Sequence, residues 1–227
     1  MHISTRVAKT SVAAALAASA ALGLTACGSG DTSAAAATPS SSQTAPKAAA
    51  TVRTVPGGST AVALDQGFVS ALGQLGLTPG TVGSATLTNG SVSFPITGGT
   101  VTLYDKASGY RPWVQGVLFH LGSGLSLTAG GTTVQLTNLV VDPGKPARVF
   151  GDVTVNGQLA APSAPIFNLD GSTLKPVSMD ADGSAVLAGT RVLLSSEAAG
   201  LLNQTFNTTA VKESLLIGTA TITVKTK

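Results

Sequence analysis

From about residue 98 onward, apolar side chains alternate with threonine, serine and glycine, so each extended segment has one apolar and one polar edge. The runs from Gly99 to Tyr104, Thr132 to Val141, Gly151 to Val155 and Gly218 to Val224 all show this period of two, the signature of half-buried strands. Leu125 to Thr128 reads as another strand. Turn formers separate these runs at short intervals: Asn89-Gly90, Gly98-Gly99, Gly130-Gly131, Asp142-Pro143-Gly144, Asn156-Gly157, Asp170-Gly171 and Asp182-Gly183. They supply the positive φ that tight hairpins require. Two segments follow a helical period instead. Leu64, Phe68, Leu72 and Leu75 recur at helical spacing behind Asp65, a candidate N-cap, and Gly76 is placed to end the helix. Between Ser195 and Phe206, the residues Ala198, Leu201, Leu202 and Phe206 form one apolar face, with a serine cap and Glu197 in the first turn. The expectation is a mainly β domain, an antiparallel β-sandwich or barrel-like architecture with two short helices lying on the sheet. In both Gly58 to Asp65 and Ala188 to Ser195, a strand feeds such a helix, a hint of pseudo-symmetry.

The N-terminal part follows another pattern. Arg6 and Lys9 precede an alanine-rich apolar run from Val12 to Leu24, too short and too weakly apolar for a spanning helix and suited to a cleaved signal. The run ends at Leu24-Thr25-Ala26-Cys27, which contains the chain's one cysteine. Residues 32–50 are almost wholly Ala, Ser, Thr, Pro and Gln, with too little apolar surface to offset the entropy of ordering them. We therefore expect a signal peptide over 1–26, a disordered tether over 27–56 and a single domain over 57–227. A tether of about 28 residues reaches roughly 30 Å as a flexible coil.

The motif around Cys27 resembles the bacterial lipoprotein lipobox, Leu-x-(Ala/Gly)-Cys. That resemblance implies that Cys27 carries diacylglycerol and that the mature protein is held on the extracytoplasmic face of the cell membrane. The competing reading is a plain secreted protein in which Cys27 is a free thiol. With one cysteine, no disulfide forms within the chain.

Charge removes one class of partner. The chain has thirteen basic and ten acidic residues, and four of the former and one of the latter precede Gly57, leaving nine of each in the domain. A neutral domain without a basic cluster does not suit nucleic-acid binding. The chemistry-bearing residues are few. After the signal there is one histidine, His120, so a zinc site of Cys and His ligands is not expected. Gly122-Ser123-Gly124 beside it is not a Gly-x-Ser-x-Gly elbow, and a cell-wall hydrolase built on His120 is the weakest of the functional readings. Asp180-x-Asp182-Gly183 lacks the distal acid of a calcium loop and reads as a solvated turn.

Trp113 to Leu127, a strand, His120, a glycine-rich turn and a second strand, resembles the surface domains of the HtaA haem-uptake family. In that family a tyrosine ligates haem iron and the histidine supports it, so the resemblance implies a haem site with His120. The family's ligand tyrosine lies in a Ser-Phe-x-x-Tyr-like helix, whereas the matching stretch here, Gly67 to Ala71, ends in alanine. Tyr104 and Tyr110 are then the candidate tyrosines, and Trp113 a candidate ligand platform. The domain as a whole also resembles secreted bacterial β-rich proteins without an assigned activity, through Phe94 to Gly99 and Leu136 to Asp142 among other segments. The reading that results is a lipid-anchored, non-catalytic binding or surface-structural module without a cofactor, its partner a protein or a small molecule. A haem carrier or relay is the alternative.

Overall fold

The computed structural model describes residues 44–227. The expected signal peptide, Cys27 and the first part of the expected tether lie outside these residues. In chain order the elements are β1 (Ala50–Val52), β2 (Gly58–Leu64), α1 (Gln66–Gln74), β3 (Thr78–Gly83), β4 (Thr86–Thr88), β5 (Ser91–Pro95), β6 (Gly98–Leu103), β7 (Val114–Ala129), β8 (Thr132–Asp142), β9 (Arg148–Val155), β10 (Gln158–Asp170), β11 (Ser178–Met179), β12 (Ala185–Leu194), α2 (Ser196–Thr205) and β13 (Leu216–Val224). The strands form one antiparallel sheet in the order β1-β6-β7-β8-β9-β10-β12-β13-β2-β5-β4, with β3 added to β7 and β11 to β12.

The sheet curls into a half-barrel, and its flanks meet at residues 95–98. There one run of chain passes from pairing with β2, through Pro95 opposite Ser59, to pairing with β7, through Gly98 opposite Phe119. Curvature comes from bulges aligned across four strands. Pairing slips between His120 and Gly124 on β7, between Thr137 and Val140 on β8 and β9, and between Ala161 and Ala164 on β10. Extra residues at such points bend a strand and sharpen its twist. Asn138, at φ +53°, holds the bulges together: its Oδ1 accepts from Gly122 N at 3.1 Å and its Nδ2 donates to Asp152 Oδ2 at 3.0 Å. Asp152 Oδ1 in turn accepts from Ser163 N at 3.0 Å on β10.

Three expectations change here. Residues 114–129 are one sixteen-residue strand, and Gly122-Ser123-Gly124 is a bulge inside it rather than a turn between two strands. Alternation on β8 also reverses at Asn138, so Val134 and Leu136 before it and Leu139 and Val141 after it all point inward. Folded structure further begins before residue 57: β1 pairs with β6, and Val55 is 2% exposed with its N–H bonded to Gly99 O. Val52 and Val55 were hidden in a stretch whose other residues are small or polar.

Both helices form as their spacing predicts. Asp65 Oδ1 caps α1 by accepting from Gly67 N and Phe68 N. Ser195 caps α2 by accepting from Ala198 N at 3.0 Å, while its hydroxyl donates to Pro165 O at 2.7 Å. The strands that feed them, β2 and β12, flank β13 on opposite sides, so the two strand-to-helix units are separated by a single strand. Hairpin turns at Asn89-Gly90, Gly130-Gly131 and Asn156-Gly157 have positive φ at both central residues, as two-residue connections with the right-handed twist require. No helix among the described residues is long and apolar enough to cross a membrane.

Candidate ligand chamber

The inward side chains of the curled sheet and the loops at one end of it enclose an apolar chamber of about 480 Å³. This lies within the range of small-molecule sites, roughly 300–1,000 Å³. Leu103, Leu118, Val141, Leu169, Leu187 and Val224 form much of its wall, from six strands. Trp113 and Pro112 line it from the loop after β6, and Leu174, Val177 and Met179 from the segment before β12. Deeper in, a pinch of about 50 Å³ walled by Phe94, His120 and Phe167 shares Val141, Leu169, Thr190 and Ile222 with the chamber. Beyond it a third apolar space of about 130 Å³ lies under the helices, bounded by Phe68, Leu72 and Leu202. The helices close the far end, and the loops frame the open one.

Trp113, Tyr104 and Tyr110 come together at the open end. Tyr104 N donates to Trp113 O at 2.7 Å where β6 and β7 end. The Tyr104 and Tyr110 rings meet edge to face with centroids 4.7 Å apart. Lys106 Nζ stands 5.8 Å from the Trp113 ring centre, within cation–π range, and Arg111 Nη1 pins the loop by donating to Lys106 O and Tyr110 O.

His120 is elsewhere. It lies seven residues along β7 from Trp113, about 23 Å at the rise of an extended strand, and is 1% exposed. Its Nδ1 is 3.0 Å from Pro95 O and its Nε2 is 3.2 Å from Thr60 Oγ1. A carbonyl can only accept, so Nδ1 carries the proton and Nε2 accepts from the Thr60 hydroxyl. Burial lowers the pKa from its ordinary value, partly opposed by the carbonyls of Pro95 and Phe94, so the ring is held neutral. His120 thus ties β7 to β2 and β5 where the flanks of the sheet meet. Neither ring nitrogen touches a serine or a carboxylate. Ser123 Oγ donates instead to the His120 carbonyl at 3.0 Å, so no Ser-His-Asp array forms on this ring. The tyrosines and His120 are likewise not juxtaposed, and the described residues do not assemble the tyrosine–histidine pair of a haem site.

Asp182 accepts from Ser184 N and Ser184 Oγ within its own turn. Among the described residues, no three His, Cys, Asp or Glu side chains lie together as a metal site.

The fold resembles that of an HtaA domain. The structure of the C-terminal domain of HtaA from Corynebacterium glutamicum matches with a TM-score of 0.51 over 76% of this chain and 99% of that domain, at 14% sequence identity. Agreement at this identity is one of architecture. No family model matches the sequence, and no curated protein is similar to it in sequence. In this HtaA-like architecture, the chamber walls are what sequence reasoning did not find. Leu118 and Val224 alternate inward just as core residues do, and only the spacing of the strands decides whether such side chains meet or leave a space.

Proposed function

We propose that the chain is a lipid-anchored, extracytoplasmic, non-catalytic binding protein whose ligand occupies the apolar chamber. The observation that carries this reading is the chamber itself, an apolar space of about 480 Å³ in the interior of a small domain. Ligand pockets are clefts or cavities of roughly 300–1,000 Å³ lined mostly by apolar side chains, so a space of this size and lining argues for an occupant. Trp113, the single tryptophan of the chain, lines it and reports on what enters. Titration with the neutral dye Nile red should give saturable enhancement of the dye and quenching of Trp113, both lost in Leu174→Glu. Equal dye response in that variant refutes the chamber as the site. The anchor is tested separately: the wild type should partition into a detergent phase and Cys27→Ser into water, and identical partitioning removes the lipid.

A second reading is haem binding, which draws support from the HtaA-like fold and from the pair of tyrosines, Tyr104 and Tyr110, beside Trp113. It does not use His120, whose ring nitrogens are both engaged within the protein. Haemin should then give a Soret band that Tyr104→Phe or Tyr110→Phe abolishes. No spectral change at stoichiometric haemin eliminates this reading.

A further inference from the structure

Three observations at the open end of the half-barrel bear on what the chamber takes. The first is its shape. Along β7 the chamber wall runs from Trp113 at the mouth to Leu118, about 17 Å at the rise of an extended strand, close to the roughly 15 Å that the acyl chains of one leaflet span in a 30 Å hydrocarbon core. The wall along this distance is nearly all aliphatic, with no charged side chain in it. A ligand that fits is therefore long and apolar, and any charge it bears stays at the mouth.

The second is the distribution of charge. The segments that frame the mouth, residues 44–50, 104–113, 142–147, 171–184 and 225–227, carry Lys47, Lys106, Arg111, Lys145, Lys175, Lys225 and Lys227, all exposed, against four acids. Three of those acids, Asp105, Asp142 and Asp182, are engaged in capping backbone N–H groups of their own turns. Elsewhere the described residues hold four basic and five acidic side chains. The near-neutral domain is thus polarised, with its positive end around the opening, and Met179 is 61% exposed on the same rim. Such an end suits an anionic bilayer surface.

The third is the path of the chain. β1 runs antiparallel to β6 with Ala50 opposite Leu103, so the chain enters the fold at the mouth, and Ala50 and Val52 line the chamber. The proposed anchor at Cys27 precedes Ala50 in the sequence, so the chain that leads from it joins the domain at the opening rather than at the helical end.

We infer that the chamber takes an acyl chain of an anionic membrane phospholipid, with the headgroup held at the basic rim by Lys106, Arg111 and Lys175. This deepens the proposed binding function and rests on the chamber being its site. The test uses the full mature chain and parinaroyl phosphatidylglycerol in vesicles, with energy transfer from Trp113 to the polyene as readout. Saturable transfer near one lipid per protein is expected, reduced about tenfold in Leu174→Glu. In the triple variant Lys106→Glu, Arg111→Glu, Lys175→Glu, a loss of about tenfold is expected from phosphatidylglycerol vesicles, with Nile red binding retained as evidence of an intact chamber. Equal transfer from phosphatidylcholine vesicles overturns the role of the basic rim. Entry of free parinaric acid without entry of the phospholipid overturns the membrane source. If Nile red binds and neither lipid probe does, the lipid inference fails and the binding chamber stands; if none binds, both fail.

Discussion

Replacing His120 by alanine tests whether the fold depends on a tie at the meeting point of its flanks. The ring is 1% exposed and bonds two strands besides its own, through Pro95 O at 3.0 Å and Thr60 Oγ1 at 3.2 Å. Its removal orphans one acceptor and one hydroxyl, each costing about 1–3 kcal/mol where water cannot reach. It also widens the pinch between Phe94 and Phe167, and large-to-small changes in a core cost about 2–5 kcal/mol. Because half-buried Pro95 can recover part of its bonding to water, we expect a net loss of about 3–5 kcal/mol, a large share of the 5–15 kcal/mol that holds a typical domain together. His120→Phe keeps much of the volume and removes the polar bonds, and should cost about 2 kcal/mol. Thr60→Val should cost about 1–2 kcal/mol alone, and in His120→Phe it should cost about 1 kcal/mol less, because the orphaned hydroxyl goes with it. Urea unfolding at pH 7.5, read by Trp113 emission and by circular dichroism, measures the wild type and all four variants. A loss below about 1 kcal/mol for His120→Ala, or strict additivity of the two conservative changes, would refute the clasp.

The same residue sets a pH dependence. Its folded pKa lies below the ordinary value of 6.5, so the unfolded state takes up the proton first. Its contribution is therefore complete above that value and erodes as the pH falls from 6.5 toward the folded pKa; His120→Phe should flatten this limb of the stability curve, and an unchanged slope contradicts the assignment. Asn138→Ala should lose about 2 kcal/mol, from the amide that bridges Gly122 and Asp152 and from the positive φ, whereas Asn138→Gly keeps the backbone and should lose less; equal losses in urea would mean that the φ is immaterial. Ser195→Ala removes the α2 cap and the bond to Pro165 O, and thermal or urea unfolding should register about 2 kcal/mol. Asp152 is held below its ordinary 3.8 by the Asn138 amide and the Ser163 N–H. Stability from it is present above that value and lost as the pH falls through the folded pKa, so Asp152→Asn should lower stability near neutrality and weaken the acid dependence below about pH 4.

Much of the architecture was legible because it is local. Asp65 and Ser195 announced their helices, Asn156-Gly157 its hairpin, and the period of two the strands on either side. The bulges were not, since Asn138 lies within a run that reads as one alternating strand, and Gly122 to Gly124 read as a turn until the partner strand is known. His120 drew attention by being alone, yet its role depends on Thr60 and Pro95, which are 60 and 25 residues away in sequence. The chamber was the least legible feature. Leu174 and Val177 sit in irregular chain and Met179 in a two-residue strand, and only the curl of the sheet makes them walls of the same space as Leu103 and Val224.

The band of bulges through Gly122, Asn138, Asp152 and Ser163 has an evolutionary consequence. Its curvature is enforced by polar bonds between neighbouring strands, so the bend does not rely on the identity of the aliphatic residues on either side of it. Lineages carrying this scaffold can therefore exchange residues at the open end, enlarging or reshaping the chamber, while the band, the His120 tie and the helical end keep their geometry. Sequences of such relatives should drift fastest in the loops from 104 to 113 and from 171 to 184, and slowest at four inconspicuous positions that do not line the chamber.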